Sequence, residues 1–251
     1  MTTVHKGNFI KCSTCNLKDF CLPMMLSSND IETLDSIIQR NKSIAKGTKV
    51  YSVGEAFTHL YAIRSGYLKS YCISENGEEQ ITGFHLPGEI VGLEALYTGT
   101  HIGFSEALET SQICSIPYSK MDSLSSEIEG LRQQVNKMMS QEITHNYELL
   151  HLLNQKNADE KIATFLLNIS SRETYGKGLA REFVLPMTRT DIANYLGLAL
   201  ETVSRIFGKL IKQNVISVDH RKVSLIDIDH LSDLAGSSCN RNLNNPDEKL
   251  A

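Results

Sequence analysis

The sequence predicts an α+β chain in three successive parts: an N-terminal β-roll, a long amphipathic helix and a C-terminal winged helix-turn-helix. Three observations predict it. Short β-rich runs punctuated by glycine fill residues 46–117, and apolar residues at three- and four-residue steps continue from Asp122 to about Ser170. A capped helix, a glycine turn and a second helix then fill residues 188–213.

With 251 residues, 41% of them hydrophobic, the chain is long enough for one large or two smaller cores. The net charge of −4 argues against a general nucleic-acid coat, but the charge is uneven. Residues 1–154 carry a net −5 and residues 155–230 a net +2, which hints at a polyanion-binding part in the second stretch. No signal peptide and no membrane-length apolar run are visible, so a cytoplasmic protein without a membrane role is expected.

Ahead of the roll, Cys12, Cys15 and Cys21 have C-x2-C-x5-C spacing, with no helix or strand period around them. Thiols spaced that way suit ligation or redox chemistry better than core filling. A fourth, Cys114, lies in the strand-like run Ser111–Pro117. Four thiolates, three from one segment and one from a strand, can close a shell around an iron-sulfur cluster or a zinc ion and staple the N-terminus to the roll. Structural zinc usually takes two C-x2-C-like pairs, and the second pair is missing. On spacing alone a cluster, a zinc ion and redox thiols all remain open. Cys72 and Cys239 read as a packed small side chain and a spectator.

After the cysteines, Ser27-Ser28-Asn29-Asp30 caps a helix over 27–40 with Ile31, Leu34, Ile37 and Ile38 on one face. Strands are expected at Lys49–Val53, Leu60–Arg64, Tyr67–Ser74, Glu79–Leu86, Glu89–Leu93, Phe104–Glu109 and Gln112–Ile116, with a hairpin turn at Glu75-Asn76-Gly77-Glu78. The long helix follows. Ile128, Leu131, Val135, Met138, Glu142, His145, Leu149 and Leu152 form a heptad-like stripe, and Met139, Ile143, Leu150 and Leu153 form a second apolar face. Two faces suggest two tasks, one against the roll and one against a second copy, with Ile128, Arg132, Val135, Met139, Ile143, Asn146 and Leu149 as the seam of a homodimer. The competing reading puts the second face under the chain's own C-terminal part. A break at Asn154–Asn157 precedes a helix over Ala158–Ser171, then a loop at Gly176 and Gly178 and a strand at Glu182–Leu185.

In the C-terminal part Thr188 caps a short helix over Asp191–Leu196, Gly197 makes the turn, and the next helix runs from Leu200 with Val203, Ile206, Phe207 and Leu210 inward. On its other face Glu201, Ser204 and Arg205 project together. A guanidinium can bond twice to guanine, a carboxylate can accept from cytosine and a hydroxyl can meet several base edges. Alone, Glu201 and Arg205 could be an ion pair one turn apart. With the turn, and with a basic hairpin tip at Arg221 and Lys222 between strands at Val215–Val218 and Val223–Ile226, they read as a major-groove reading head with a wing. Thr188 and Arg189 are further candidate DNA contacts.

Roll, long helix and winged helix in this order resemble the CRP/FNR family of bacterial transcription regulators, over nearly the whole chain. The cysteine spacing with Cys114 carries the resemblance, as do Tyr61-Ala62-Ile63-Arg64-Ser65-Gly66, Gln80-Ile81-Thr82-Gly83-Phe84-His85-Leu86 and Asn194-Tyr195-Leu196-Gly197-Leu198. It implies a cyclic-nucleotide-binding-like jelly roll and an oxygen-labile [4Fe-4S] cluster on Cys12, Cys15, Cys21 and Cys114. It implies a non-enzymatic homodimer whose Glu201, Ser204 and Arg205 read TTGAT-type half-sites of a palindrome in double-stranded DNA. Contacts with RNA polymerase would activate or repress. The parts are expected at 1–26 (cysteine segment), 27–122 (roll), 123–156 (dimerisation helix), 157–236 (DNA-binding domain) and 237–251 (polar tail).

Three departures from the family pattern matter. Relatives that bind cyclic AMP carry a glutamate and an arginine for the ribose and phosphate, whereas here the stretches read Gly92-Leu93-Glu94 and Phe104-Ser105-Glu106. Without the arginine a phosphate would be unpaired, so no cyclic nucleotide is expected. Ala199 stands where the family commonly has a capping threonine, which predicts a weaker start to the reading helix. Asn146 replaces a family acid in the seam, which predicts easier dimerisation without a cluster.

Overall fold

The computed structural model describes residues 10–40 and 43–236. The tail expected over 237–251, with Cys239, lies outside them. The chain divides into two compact units between Glu142 and Ile143.

In the first unit, 3-10 turns at Cys12–Thr14 and Leu22–Met25 shape the cysteine segment, and Pro23 opens the second turn, where its missing N–H costs nothing. Helix α1 (Ser28–Ile37) begins at Ser27, whose hydroxyl accepts from the N–H of Asp30. The roll comprises β1 (Gln39–Arg40), β2 (Lys49–Tyr51), β3 (His59–Ser65), β4 (Leu68–Ile73), β5 (Glu79–His85), β6 (Ile90–Val91), β7 (Phe104–Ala107) and β8 (Gln112–Pro117). These pair antiparallel as two four-stranded sheets, ordered β1-β8-β3-β6 and β2-β7-β4-β5. Gly77, at φ +80°, makes the expected turn between β4 and β5.

The helix expected over 27–40 ends at Ile37. Ile38 is extended, and Gln39 and Arg40 instead add a short strand to β8.

Side-chain alternation in β3 and β8 divides the interior in two. Leu60 and Ala62 of β3 and Ile116 of β8 join Leu22, Leu34, Met121, Leu124 and Leu131 in one cluster, with Cys114 packed against it. Ile63 and Ile113, on the opposite faces, join Tyr51, Leu68, Val91 and Ala107 in a second. The first cluster thus lies where the cysteine segment meets the roll.

The continuous helix expected from Asp122 is two helices, α2 (Tyr118–Glu127) and α3 (Glu129–Gln155). Helix α2 starts directly after Pro117, and Ile128 is extended between the two, at φ −110° and ψ 101°. Packing explains the break. Ile128 lies against the first cluster, and Gly130 is so close to the cysteine segment that a Cβ there would come within 2.6 Å of the Met25 carbonyl oxygen.

In the second unit, α4 (Ala158–Glu173) begins with a capping box between Asn157 and Glu160 and buries Ile162, Phe165, Leu166 and Ile169. Strand β9 (Glu182–Val184) joins β10 (Ile216–Asp219) and β11 (Lys222–Leu225) in the order β10-β11-β9. Helices α5 (Arg189–Leu196) and α6 (Leu200–Lys212) precede that hairpin. A last helix, α7 (Ile228–Ala235), packs on α4 and was not expected, although Asp227 caps it and Gly236 ends it.

Candidate metal centre and nucleic-acid interface

Cys114 and Ile116 share one face of β8 by the two-residue period, and Cys114 sits opposite Ala62 of β3. That face receives the cysteine segment. Leu22, only 1% exposed, anchors the segment beside Cys21, and the backbone N–H of Cys12 donates to Oδ1 of Asp35 on α1 at 2.7 Å. Cys12, Cys15, Cys21 and Cys114 consequently line one pocket, together with Leu22, Pro23, Ile38, Ala62 and Ile116. All four are free thiols.

The donor set fits a metal or cluster that prefers sulfur. Among the described residues the lining offers four cysteines and no carboxylate or imidazole. Cys21 as a whole is partly exposed, but its sulfur is desolvated. That burial, with the charges of Cys114 and Cys15 adding to it, pushes the Cys21 thiol up to about 12. A cationic centre would reverse the sign of that repulsion and hold the sulfurs as thiolates. No three His, Cys, Asp or Glu side chains among the described residues are drawn together as ligands of one ion. The thiols share a pocket without closing on a point.

In the second unit Thr188 and Asp191 form a reciprocal capping box at the start of α5, and Gly197, left-handed at φ +61°, ends it. Helix α6 buries Val203, Ile206, Phe207 and Leu210 and leaves Glu201, Ser204 and Arg205 exposed together. Ala199 caps α6 with no side-chain bond. Thr188 is exposed at the head of α5. Arg189 is otherwise engaged: its guanidinium lies 3.4 Å from the centroid of the Phe207 ring, and burial lowers its pKa. Arg221 and Lys222 are exposed at the hairpin, where His220 takes a left-handed conformation at φ +52°. Lys222 pairs with Glu182 of β9 at 2.6 Å.

The residues expected in a dimer seam fall into two groups. Ile128 and Val135 pack against the first cluster of the roll unit. Met139, Ile143 and Asn146 are exposed along α3, as are Tyr147 and Leu150. Leu149 is partly buried, and Arg132 is exposed and paired with Glu129.

Two residues beside the cysteines escaped the sequence reading, Asp35 and Gln134. Asp35 showed only as a polar position in a helix. Gln134, a glutamine one step from an apolar stripe position, is 2% exposed. His101 is buried, stacks on Tyr51 with 3.8 Å between ring centroids, and has Nδ1 2.8 Å from Oε1 of Glu94. On β7, Glu106 accepts from the Tyr71 hydroxyl at 3.3 Å.

Comparison with known proteins shows the family. A Crp-like helix-turn-helix domain model matches residues 160–234, and a cyclic nucleotide-binding domain model matches residues 41–127. The fumarate and nitrate reduction regulatory protein of Escherichia coli strain K12 is 44% identical over 234 residues, covering 93% of this chain and 94% of its own length. The anaerobic regulatory protein of Aggregatibacter actinomycetemcomitans is 44% identical over 94% of this chain and 91% of its own. Among solved structures, FixK2 from Bradyrhizobium japonicum superposes with a TM-score of 0.73 at 30% identity, covering 80% of this chain and 99% of its own. The chain belongs to the CRP/FNR family of bacterial transcription regulators and is a DNA-binding regulator of the fumarate and nitrate reduction type.

Proposed function

We propose that this regulator senses oxygen through a [4Fe-4S] cluster held by Cys12, Cys15, Cys21 and Cys114, and binds DNA as a homodimer while it holds it. The observation that carries the reading is the shared pocket: three thiols of the N-terminal segment and one of β8 face the same space. When bound, the cluster supplies an iron-sulfur core that oxygen can oxidise and dismantle. Cys114 ties the segment to the roll. Cys12, Cys15 and Cys21 fix the backbone on which Leu22 and Met25 bear against β3, β8 and the start of α3. Release of the thiols frees that backbone and loosens the seating of α3, whose exposed Met139, Ile143 and Leu150 offer an apolar face to a second copy.

In the dimer, two copies of α6 present Glu201, Ser204 and Arg205 to TTGAT-type half-sites one helical turn apart. Bound in this way, the regulator contacts RNA polymerase and activates or represses. It acts in the cytoplasm, without a membrane or a cyclic nucleotide. The relatives' names, which speak of anaerobic regulation and of fumarate and nitrate reduction, support the same setting.

The test is an optical spectrum with iron and sulfide analysis on anaerobically purified protein, repeated after air is admitted. Equal iron and sulfide, with visible absorption that bleaches in air and is missing in Cys114→Ser, supports the reading. A colourless protein that retains zinc under both conditions overturns it in favour of a constitutive DNA-binding regulator with a structural zinc.

A further inference from the structure

Gln134 of α3 joins the cysteine segment to the long helix by a bond that neither the pocket nor the apolar face requires. Its Nε2–H donates to the carbonyl oxygen of Cys21 at 3.3 Å, across 113 positions of sequence. The side chain is 2% exposed, and its Oε1 is buried with no hydrogen-bond partner among the described residues. Its neighbours along both chains are apolar: Leu131, one turn back on α3, and Leu22, next to Cys21, are 1% exposed or less and belong to the first cluster, against which Val135 packs. A leucine or methionine would fill such a place without burying an amide. The amide therefore has a use there, and the use on view is its hold on Cys21.

That hold is well placed to report ligation. The Cys21 carbonyl carbon is bonded directly to the Cα that carries the thiol side chain, so holding that carbonyl limits how far Cys21 can move within the pocket. One turn earlier on α3, Gly130 lies against the Met25 carbonyl, so the first turns of the helix touch the segment at two points. While Cys21 is ligated its backbone stays in place and Gln134 keeps its bond. Once Cys21 is released and moves, Nε2 loses its partner as well, leaving a buried amide with neither polar atom bonded among the described residues, a state that folded proteins avoid. The start of α3 must then shift to let water or another acceptor reach Gln134. We propose that Gln134 is the positioning residue that couples the ligation state of Cys21 to the seating of α3, and so to dimerisation. This rests on the cluster-dependent dimer proposed above.

The test compares full-length wild type with Gln134→Leu and, as a second replacement of similar volume, Gln134→Met. Each is reconstituted anaerobically with iron and sulfide, and its dimer dissociation constant is measured by sedimentation with and without the cluster. Wild type should show a ratio between the two constants on the order of 5- to 150-fold, the usual range of coupling between sites. Both variants should load as much iron as wild type while their ratio collapses toward one. Leu124→Val, which trims the same apolar cluster without touching the bond, should lose stability and keep the wild-type ratio. Variants that keep the wild-type ratio, or that fail to load iron, overturn the coupling role. A wild type that loads a cluster but dimerises equally well without it overturns the proposed function, and the coupling with it.

Discussion

Asp35 and Cys12 are joined by a 2.7 Å hydrogen bond in which the Cys12 backbone N–H donates to Oδ1 of Asp35. The bond crosses from the cysteine segment to α1 and fixes the first thiol of the pocket from outside it. Hydrogen bonds to charged groups contribute about 1.5–3 kcal/mol when well buried, and this one is partly exposed, so Asp35→Ala should lower stability by about 1 kcal/mol. Urea unfolding of cluster-free protein checks the size. Labelling of Cys12 by a thiol reagent should quicken in the variant and be partly restored in Asp35→Asn, whose amide oxygen still accepts. Equal labelling in all three would show that Asp35 does not hold the segment.

The roll and the helix-turn-helix were legible in the sequence because their signals are local. Strand alternation, the turn at Gly77 and the Thr188 cap each sit within a few residues. What escaped depends on distant partners. Ile128 continues a helical period perfectly well, and only its packing on the roll core shows why the helix breaks there. Arg189 reads as a candidate DNA contact, and no local period shows that Phe207, eighteen positions on, lies beneath its guanidinium. Gln134 and Cys21 are too far apart for any period to pair them. Helix α7 is a different case, since Asp227 and Gly236 are ordinary start and stop signals; its eight residues are short beside the wing that precedes it.

Gly130 is predicted to be irreplaceable. Alanine would ordinarily favour a helix by about 1 kcal/mol over glycine, but the added Cβ would meet the Met25 carbonyl oxygen at 2.6 Å, and backbone cannot swing aside. Overpacking of this kind costs about 1–3 kcal/mol, so the net effect of Gly130→Ala is a loss. Thermal unfolding of the variant should show a lower midpoint; a higher one would mean that the segment yields freely at Met25.

Ala199 offers a gain. It caps α6 at φ −69° and ψ 144°, the extended geometry that a serine or threonine cap adopts, yet it makes no side-chain bond. Ala199→Ser should raise stability by about 1 kcal/mol by satisfying an N–H in the first turn of α6. The same change should tighten DNA binding if fraying of that turn weakens the reading head. Calorimetry and a binding isotherm report the two effects separately.

Arg205 stands exposed beside Ser204 and one turn from Glu201, with its backbone on the rigid face of a helix that buries Phe207. Arg205→Ala should cost about 1–3 kcal/mol at the cognate site and flatten base preference at one position of each half-site. Selection of binding sequences from a randomised pool reads this directly. An unchanged preference would remove Arg205 from base reading and leave it a phosphate contact.

Lys222 is the less obvious case, because Glu182 already holds it at 2.6 Å. The Lys222 ammonium keeps the Glu182 carboxyl below its usual range, so the acid stays charged at neutral pH and the pair persists. To meet a phosphate, Lys222 must leave Glu182 or bring that negative charge toward the DNA. Lys222→Ala should therefore change the slope of log affinity against log salt by less than the value of about 1 expected for a free phosphate contact. Glu182→Gln should do the reverse. It keeps the shape of β9, releases the ammonium, and should raise affinity for every DNA sequence while steepening the salt dependence. Because a phosphate carries no sequence information, the gain should be equal for cognate and random duplexes. A gain confined to the cognate site would place Lys222 on a base edge, and no change in either slope would place the hairpin tip away from the DNA.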